Sequence, residues 1–264
     1  MELDSSQIIA KKRKALNGFS RYLLSSQEGK NVGKIILFGS LVRGEVIDGS
    51  DVDVLILASG NMNEVENAAA DAAFEAGMEF GESVEPIVYC LDEVRYPSSY
   101  FLYNVSRKGE EIYSMDEAQI RREESRGYRD LALEYLEGAM DSLKSGHPRL
   151  AVDAAYNAAE LCAKGLLLLK MDKIPTSHGG VVVKFGEIYI KEGLVERNIG
   201  RAMNKALALR NKSRYDRHAL IGSTEAKEVF KLTKDMIRIL DKALETDSDD
   251  RDLSLIHISE PTRH

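Results

Sequence analysis

The sequence has 264 residues, of which 44% are hydrophobic and 30% are charged, as in globular proteins of one large domain or two ordinary ones. The net charge of −7 argues against an extended surface for non-specific nucleic-acid binding. The two cysteines, Cys90 and Cys162, form neither a metal-binding spacing nor a disulfide framework, and no stretch predicts a membrane span or a secretion signal. We therefore expect a cytoplasmic protein with no membrane partner.

Strand and helix patterns are mixed over the first 115 residues. β-branched runs predict buried strands, and an Ala-rich segment that ends at Gly81 predicts a helix. The proline of the third strand, Pro86, indicates an edge strand or a strand end. The predicted elements, in chain order, are a helix at 5–27, strands at 34–39 and 51–59, a helix at 63–81, a strand at 83–90, and a helix broken near Pro97 with a short further element between 91 and 114.

Beyond residue 115 the pattern is helical. Gly and Pro residues separate segments with helical periodicity, and the flanks of the valine run at 181–183 favour a helix there as well. We predict a small α/β domain over 1–115 followed by an all-helical bundle over 116–246. The predicted helical segments are 116–146, 148–171, 179–193, 195–213 and 223–244.

The C-terminal residues 247–264 are expected to lie outside the fold. Residues 245–252 are strongly acidic and lack aromatic side chains, a composition typical of disorder. The final stretch, LSLIHISEPTRH, resembles translated sequencing-adapter read-through. We therefore predict a disordered tail that is partly non-native, in which His257 and His264 have no function.

Two aspartates open the second predicted strand, in the stretch GSLVRGEVIDGSDVDVLIL at 39–57. On a strand, Asp51 and Asp53 point to the same face with Cα atoms roughly 6–7 Å apart. Their charges then repel by roughly 2–3 kcal/mol at an effective dielectric constant of 20. Mg²⁺ prefers one or two carboxylates completed by phosphate oxygens and water, so this pair is a candidate metal site.

Gly39 and Ser40 follow the first predicted strand, where a helix start would offer free N–H groups and a close backbone approach to phosphate. Glu85, before the apolar part of the third strand, is the best-placed third carboxylate to complete a metal site or accept a proton. Each feature alone has an ordinary explanation: a Gly-Ser turn, an aspartate that caps a strand, and an exposed charge at a strand end. The combination and its spacing favour the functional interpretation.

The stretch resembles the signature of the polymerase β-type nucleotidyltransferase superfamily in its minimal form: Gly-Ser, about ten residues, then Asp-x-Asp. The resemblance implies that Asp51 and Asp53 hold Mg²⁺ or Mn²⁺, and that Gly39 and Ser40 bind the phosphates of ATP or another NTP, with Arg43 near them. The third carboxylate of the family is commonly Asp, and Glu85 stands in its place. Because some relatives with an altered third carboxylate only bind nucleotide, a non-enzymatic nucleotide-binding module stays open as an alternative.

Positive charge is concentrated at 207–222 in the helical half. If one helix continues through this stretch, four residues fall on one face: Arg210, Arg214, Arg217 and His218. An arginine cluster with a histidine suits a phosphate or an RNA backbone, and the histidine could act as acid or base. On the residues alone we favour the alternative, a solvated helix end paired with acidic residues of a neighbouring helix such as Glu187 or Glu192.

The helical half, from about 120 to 244, resembles the HEPN family, whose late helices carry an Arg-Asn-x…His motif. The resemblance implies that Arg210 and His218 form a ribonuclease pair, with Asn211 as polar companion and Arg214 within the same motif. Tyr215 would be a target for AMP attachment, as in toxin–antitoxin-like pairs. Seven residues separate Arg210 from His218, where the ribonuclease motif usually has four to six, so a substrate- or nucleotide-binding helical domain stays open.

Together these observations predict an α+β protein: a small mixed-sheet polymerase β-type nucleotidyltransferase domain followed by a HEPN-like bundle. We expect Mg²⁺-dependent transfer of a nucleoside monophosphate, AMP from ATP, to an acceptor held with help of the helical domain. The acceptor class is open between a protein tyrosine, RNA and a small molecule. A fused toxin–antitoxin-like unit with a ribonuclease half is the alternative, and family resemblance suggests a homodimer formed through the helical domain.

Overall fold

The structure is a computed structural model that describes residues 4–47, 49–95 and 97–255. It divides into two compact units, Met1–Ile120 and Arg121–His264. The dividing point lies close to the predicted boundary at 115/116, and the first unit is mixed while the second is helical. The predicted fold class is confirmed.

The first unit alternates helices and strands because its sequence alternates between the two hydrophobic periods. Asp4 caps the first helix by accepting from the Gln7 amide, and Gly81 ends the third helix in a left-handed conformation, with φ of 65°. Its helices and strands are α1 (Ser5–Ser25), β1 (Val32–Leu37), α2 (Ser40–Arg43), β2 (Val52–Ala58), α3 (Met62–Phe80), β3 (Val84–Cys90), α4 (Tyr100–Lys108) and β4 (Glu110–Ser114).

These four strands form one mixed sheet in the order β3-β2-β1-β4. β1 pairs antiparallel with β2 and with β4, whereas β2 and β3 run parallel. β3 is therefore an edge strand, which confirms the expectation from Pro86 that a residue without an N–H donor belongs at an edge.

Each face of the sheet is covered by helix. Alternate residues of β2, such as Val54 and Ile56, pack with the buried side chains of α1 and α3. The intervening Leu55 and Leu57 pack with Leu102 and other apolar residues of α4 on the opposite face. Because side chains two apart on a strand share a face, Asp53 belongs to the α4 side of the sheet.

The second unit is built from amphipathic helices around one apolar core. The most buried helix, α6, contributes a long run of small and apolar side chains, and the valine run at 181–183 is helical as predicted. Among helices in the described part of the chain, none has the length and apolar character that crossing a bilayer needs. The helices are α5 (Glu117–Lys144), α6 (Pro148–Leu168), α7 (His178–Phe185), α8 (Arg197–Tyr215) and α9 (Ser223–Leu255), with a π-helical turn at Gly186–Ile190 after α7.

α8 ends at Tyr215, so the predicted continuous arginine face does not form: Arg217 and His218 lie beyond the helix. The physical reason is a contact from another helix. The guanidinium of Arg149, on α6, donates to the backbone carbonyls of Ser213, Asp216 and Ala219, at 3.1, 2.8 and 2.5 Å. The Ser213 and Ala219 carbonyls thus bond to a side chain and not to the backbone N–H groups of a further helical turn, while the Asp216 carbonyl also accepts from the N–H of Ala219 at 3.3 Å.

The backbone of residues 247–255 is helical as the end of α9, whereas the sequence composition predicts disorder from 247. Residues 223–255 contain neither Gly nor Pro, so no residue in the stretch ends the helix. Residues 256–264, including His257 and His264, lie outside the described residues.

Candidate active site

The candidate site begins at Gly39, directly after β1. Gly39 has φ of 76° and ψ of −150°, a conformation open essentially to glycine, and it precedes the single helical turn α2. A Cβ atom at Gly39 would lie 1.8 Å from Oδ2 of Asp53. The backbone of the Gly39–Ser40 turn therefore packs directly against the Asp53 carboxylate, a contact that requires glycine.

Asp51 and Asp53 are both half-buried at the start of β2. Burial raises the pKa of the Asp53 carboxyl, the negative charge of Asp51 raises it further, and the positive charge of Arg43 opposes both effects. The structure thus brings together two of the predicted carboxylates with the predicted arginine. The exposed Arg43 donates from Nε to Glu45 at 2.8 Å.

Glu85 is the register partner of Asp53 in the parallel β2–β3 ladder, so both side chains lie on the same face of the sheet. On the other side of Asp53, the N–H of Phe38 donates to the Asp53 carbonyl at 3.0 Å. Glu85 is exposed. The structure therefore places the predicted third carboxylate on the strand next to Asp53, open to solvent.

The donor set fits a divalent cation that binds together with phosphate. Within the described residues, no group of three or more His, Cys, Asp or Glu side chains is arranged to hold a metal by itself. Asp51 and Asp53 supply two hard oxygen donors whose mutual repulsion a cation would relieve, and Mg²⁺ commonly takes its remaining ligands from phosphate and water. The Gly39–Ser40 turn lies directly against the Asp53 carboxylate, so its backbone is next to these two donors.

The helical unit holds a second polar cluster, centred on Arg210. This side chain is 5% exposed; its Nε lies 3.3 Å from Asp153, and it donates to Asn211 at 3.2 Å. Its second terminal nitrogen lies 2.9 Å from Nε2 of His178. Because a guanidinium can only donate, Nε2 accepts, and the protonated Nδ1 donates to Glu160 at 2.6 Å.

The predicted HEPN-type residues are only partly brought together. Arg210 contacts Asn211, and Arg214 donates to Asp153 at 2.8 Å, so both arginines share a carboxylate on α6. His218 is exposed and contacts Arg217 instead of Arg210. The acidic partner expected for the arginines exists, but it is Asp153 and neither of the two predicted glutamates. One of those, Glu187, pairs with Lys184 at 2.8 Å, and Tyr215 is 73% exposed.

Sequence reasoning missed His178 and the fully buried Lys12. His178 lies 32 residues from Arg210 in a segment without a recognisable catalytic spacing. The sole signal for Lys12 is a lysine at a position of α1 that helical periodicity places on the buried face. The contacts of His178 and Lys12 form only in the folded chain.

Comparison with known proteins gives matches to both units. A family model described as "Nucleotidyltransferase domain" matches residues 18–120, and one described as "HEPN domain" matches 126–243. A protein of Methanocaldococcus jannaschii named "Putative toxin MJ0605" is 37% identical over 94 residues, which are 36% of this chain and 69% of that protein.

Among solved structures, spectinomycin adenyltransferase AAD(9) from Enterococcus faecialis with ATP and spectinomycin aligns over 88% of this chain and 99% of that chain. The identity is 13% and the TM-score 0.30. A TM-score of this size is too low for the substrates of that enzyme to say anything about this chain.

Proposed function

Because the chain belongs to the nucleotidyltransferases, with a HEPN domain after the nucleotidyltransferase domain, we propose that it transfers AMP from ATP to an acceptor with the help of a divalent cation. One observation carries the proposal: the Gly39–Ser40 turn packs against the carboxylate of Asp53, which lies beside Asp51. A phosphate bound at this turn is next to two metal-binding oxygens, as transfer of a nucleotide requires.

In this reaction an acceptor hydroxyl attacks the α-phosphorus of ATP, the bond to the bridging oxygen of the β-phosphate breaks, and pyrophosphate leaves. Gly39 and Ser40 bind phosphate oxygens, and Arg43 adds positive charge near Asp53. Asp51 and Asp53 would hold Mg²⁺ or Mn²⁺, which when bound neutralises phosphate charge and orients the reacting oxygens. Glu85, exposed beside Asp53, accepts the proton of the acceptor hydroxyl.

The test is incubation of the full chain with ATP labelled at the α-phosphate, Mg²⁺ or Mn²⁺, and separate acceptor pools: the protein itself, tRNA and small hydroxyl compounds. We expect label on one pool together with pyrophosphate release, and loss of both in Asp53→Asn. Asp71→Asn, an exposed aspartate on α3, is the matched control and keeps activity. ATP binding without pyrophosphate release in every pool would instead support a nucleotide-binding module and contradict the proposal.

The finer parts of the proposal are the choice of ATP over other NTPs, the acceptor class, and the role of the helical unit in holding the acceptor. Competition of the labelled ATP by unlabelled GTP, CTP and UTP tests the choice of nucleotide. The pool that carries the label identifies the acceptor class. A homodimer formed through the helical unit is the assembly we propose, and sedimentation of the full chain tests it.

RNA cleavage by the HEPN domain is the second candidate function. The HEPN match favours it, the archaeal relative is named a putative toxin, and the Arg210–His178 contact provides an arginine next to a histidine. Incubating tRNA with the full chain, His218→Ala and His178→Ala separates the possibilities. Cleavage lost in one histidine variant identifies the residue involved, whereas intact tRNA in all three samples rejects this candidate.

A further inference from the structure

Lys12 is a buried cation in the first unit. Its side chain, on α1, is 1% exposed, and burying an ammonium group is unfavourable unless charged or polar partners surround it. Its Nζ donates to Oε2 of Glu82 at 2.6 Å and also to the backbone carbonyl of Ser50. One side chain thus links α1 to two segments that are distant in the sequence.

The carbonyl that Lys12 binds belongs to the residue directly before Asp51. On the other side of Asp51, the N–H of Val52 donates to the carbonyl of Ser83 at 2.9 Å. The backbone of Asp51 is therefore held at both ends, by Lys12 through Ser50 and by the turn before β3 through Val52. These two contacts fix the backbone on either side of Asp51, directly before Asp53.

Glu82 completes this arrangement at the turn between α3 and β3. Its side chain is 9% exposed and receives Lys12 at 2.6 Å and Lys11 at 2.8 Å. Burial alone would raise the pKa of the Glu82 carboxyl, but the hydrogen bonds from the two lysines lower it overall. Glu82 is therefore ionised, and it anchors Lys12 in reach of Ser50.

The need to neutralise the charge of Glu82 does not by itself explain why Lys12 is buried. Lys11, whose side chain is 42% exposed, already pairs with Glu82 and donates to Gly81, and it can do so without being buried. What Lys12 adds is the bond to Ser50. That bond leads to the candidate metal site, while Lys11 has no contact with this segment among the described hydrogen bonds.

We propose that Lys12 is a positioning residue that holds the Asp51 carboxylate at its metal-binding separation from Asp53 by fixing the Ser50 carbonyl. The inference rests on the proposed function, because it concerns how the same site is held. Lys12 itself does not contact substrate, since both of its bonds are internal. Groups outside a metal site that orient a ligand typically change metal affinity 10–100-fold when removed.

The test uses the full chain and Mn²⁺ as the probe. Free Mn²⁺ is measured by electron paramagnetic resonance during titration, with and without ATP, and the Mn²⁺ concentration for half-maximal transfer is measured separately. Lys12→Met is expected to weaken Mn²⁺ binding by about 10-fold or more. Lys11→Met removes the other lysine from Glu82 but not the Ser50 bond, so its Mn²⁺ affinity is expected to stay within about twofold of wild type.

A second variant separates positioning from folding. Lys12→Met with Glu82→Leu replaces the buried charges by apolar groups, which usually preserves stability, and still removes the Ser50 bond. We expect this double variant to fold and to bind Mn²⁺ as weakly as Lys12→Met does. At saturating Mn²⁺, transfer by both variants is expected to recover, because the ligands themselves remain.

The outcomes distinguish this inference from the function on which it rests. Wild-type protein that neither binds Mn²⁺ nor transfers label rejects the proposed function and the inference with it. Wild-type protein that binds Mn²⁺ while the double variant binds it equally well overturns the inference alone. Failure of both Lys12 variants to fold would assign Lys12 to stability and likewise overturn the positioning role.

Discussion

Asp53 is half-buried, faces the charge of Asp51 and packs against the backbone of Gly39, so folding disfavours its ionised form. Its pKa is raised above the ordinary value of 3.8, first by burial and then by Asp51. The folded state therefore binds this proton more tightly than the unfolded state does. The protonated Asp53 carboxyl therefore contributes to the stability of the fold. This contribution is complete below the pKa of Asp53 in the unfolded state and is lost as the pH rises through its pKa in the folded state.

We predict that Asp53→Asn stabilises the metal-free protein at pH 7, because it removes an ionised carboxylate that the fold disfavours. The gain is expected to be on the order of 1 kcal/mol at low salt, after screening by the solvent that reaches these groups. Thermal unfolding in EDTA measures it, with Asp71→Asn as the exposed control. Adding Mn²⁺ and ATP should then raise the unfolding temperature of wild type and not of Asp53→Asn. Equal metal-free stability of the two proteins would contradict the electrostatic account.

Gly39 offers a second residue-level prediction, with Gly44 as its control. Both have positive φ, 76° and 72°, so alanine is strained at either position, by about 1–3 kcal/mol. A Cβ at Gly44 meets no atom within 4 Å, whereas a Cβ at Gly39 would overlap the Asp53 carboxylate. Gly39→Ala is therefore expected to lose Mn²⁺ binding and nucleotide transfer, while Gly44→Ala is less stable than wild type but keeps Mn²⁺ affinity. Loss of Mn²⁺ affinity in both variants would mean that the backbone conformation, not the clash, decides the effect.

At the scale of elements, local sequence predicts most of the first unit. Hydrophobic periodicity identifies α1, α3 and the strands β1, β2 and β3, Gly81 marks a helix end, and Pro86 marks an edge, whereas β4 is predicted only as a short element of no stated type. These features are encoded by neighbours along the chain. The end of α8 is different, because the residues after Tyr215 carry no Gly or Pro until Gly222, and the helix ends where Arg149 of α6 binds the carbonyls of Ser213 and Asp216. The local sequence supplies Asp216, whose side chain accepts from the His218 N–H at 2.9 Å, but it gives no signal of the contact from Arg149.

The arginines of α8 supply the element-level prediction. The Arg210 side chain is 5% exposed and joins α8 to Asp153 of α6 and His178 of α7, whereas that of Arg214 is 44% exposed and contacts the same Asp153. Removing a buried partner leaves other buried polar groups unpaired. Arg210→Met is therefore expected to destabilise the helical unit by about 3 kcal/mol, and Arg214→Met by less than about 1 kcal/mol.

Native-state hydrogen exchange of the amides in α6 and α8 measures this difference within the helical unit, without assuming that the whole chain unfolds in one step. His218→Ala, at an exposed position outside α8, serves as the neutral control and is expected to stay within about 0.5 kcal/mol of wild type. Comparable losses in the Arg210 and Arg214 variants would show that burial of Arg210 does not decide its contribution.

At the scale of the whole molecule, the sequence predicts the order and class of the two units, because a change from mixed to purely helical periodicity is visible along the chain. It also predicts the carboxylates and the glycine turn, since their spacing places them at the start of neighbouring elements. The Lys12–Ser50 and Arg210–His178 contacts could not be predicted. Each joins residues that no periodicity relates, so only the folded chain brings them together.

The net charge of −7 leads to a prediction about the acceptor. Non-specific RNA binding depends on cationic side chains that displace counterions. Proteins with a cationic surface bind nucleic acid non-specifically with dissociation constants of about 10⁻⁴–10⁻⁶ M at physiological salt. The arginines that suggested an RNA surface do not form a continuous face, because Arg210 is buried and Arg214 pairs with Asp153. We therefore expect random-sequence single-stranded RNA to bind the full chain more weakly than about 10⁻⁴ M at 150 mM salt, as measured by fluorescence polarisation with a basic protein of similar size as positive control.

Tighter binding with a steep salt dependence would reveal a cationic surface and favour RNA as the acceptor. Weak binding together with AMP transfer would direct the search to protein hydroxyls and small molecules.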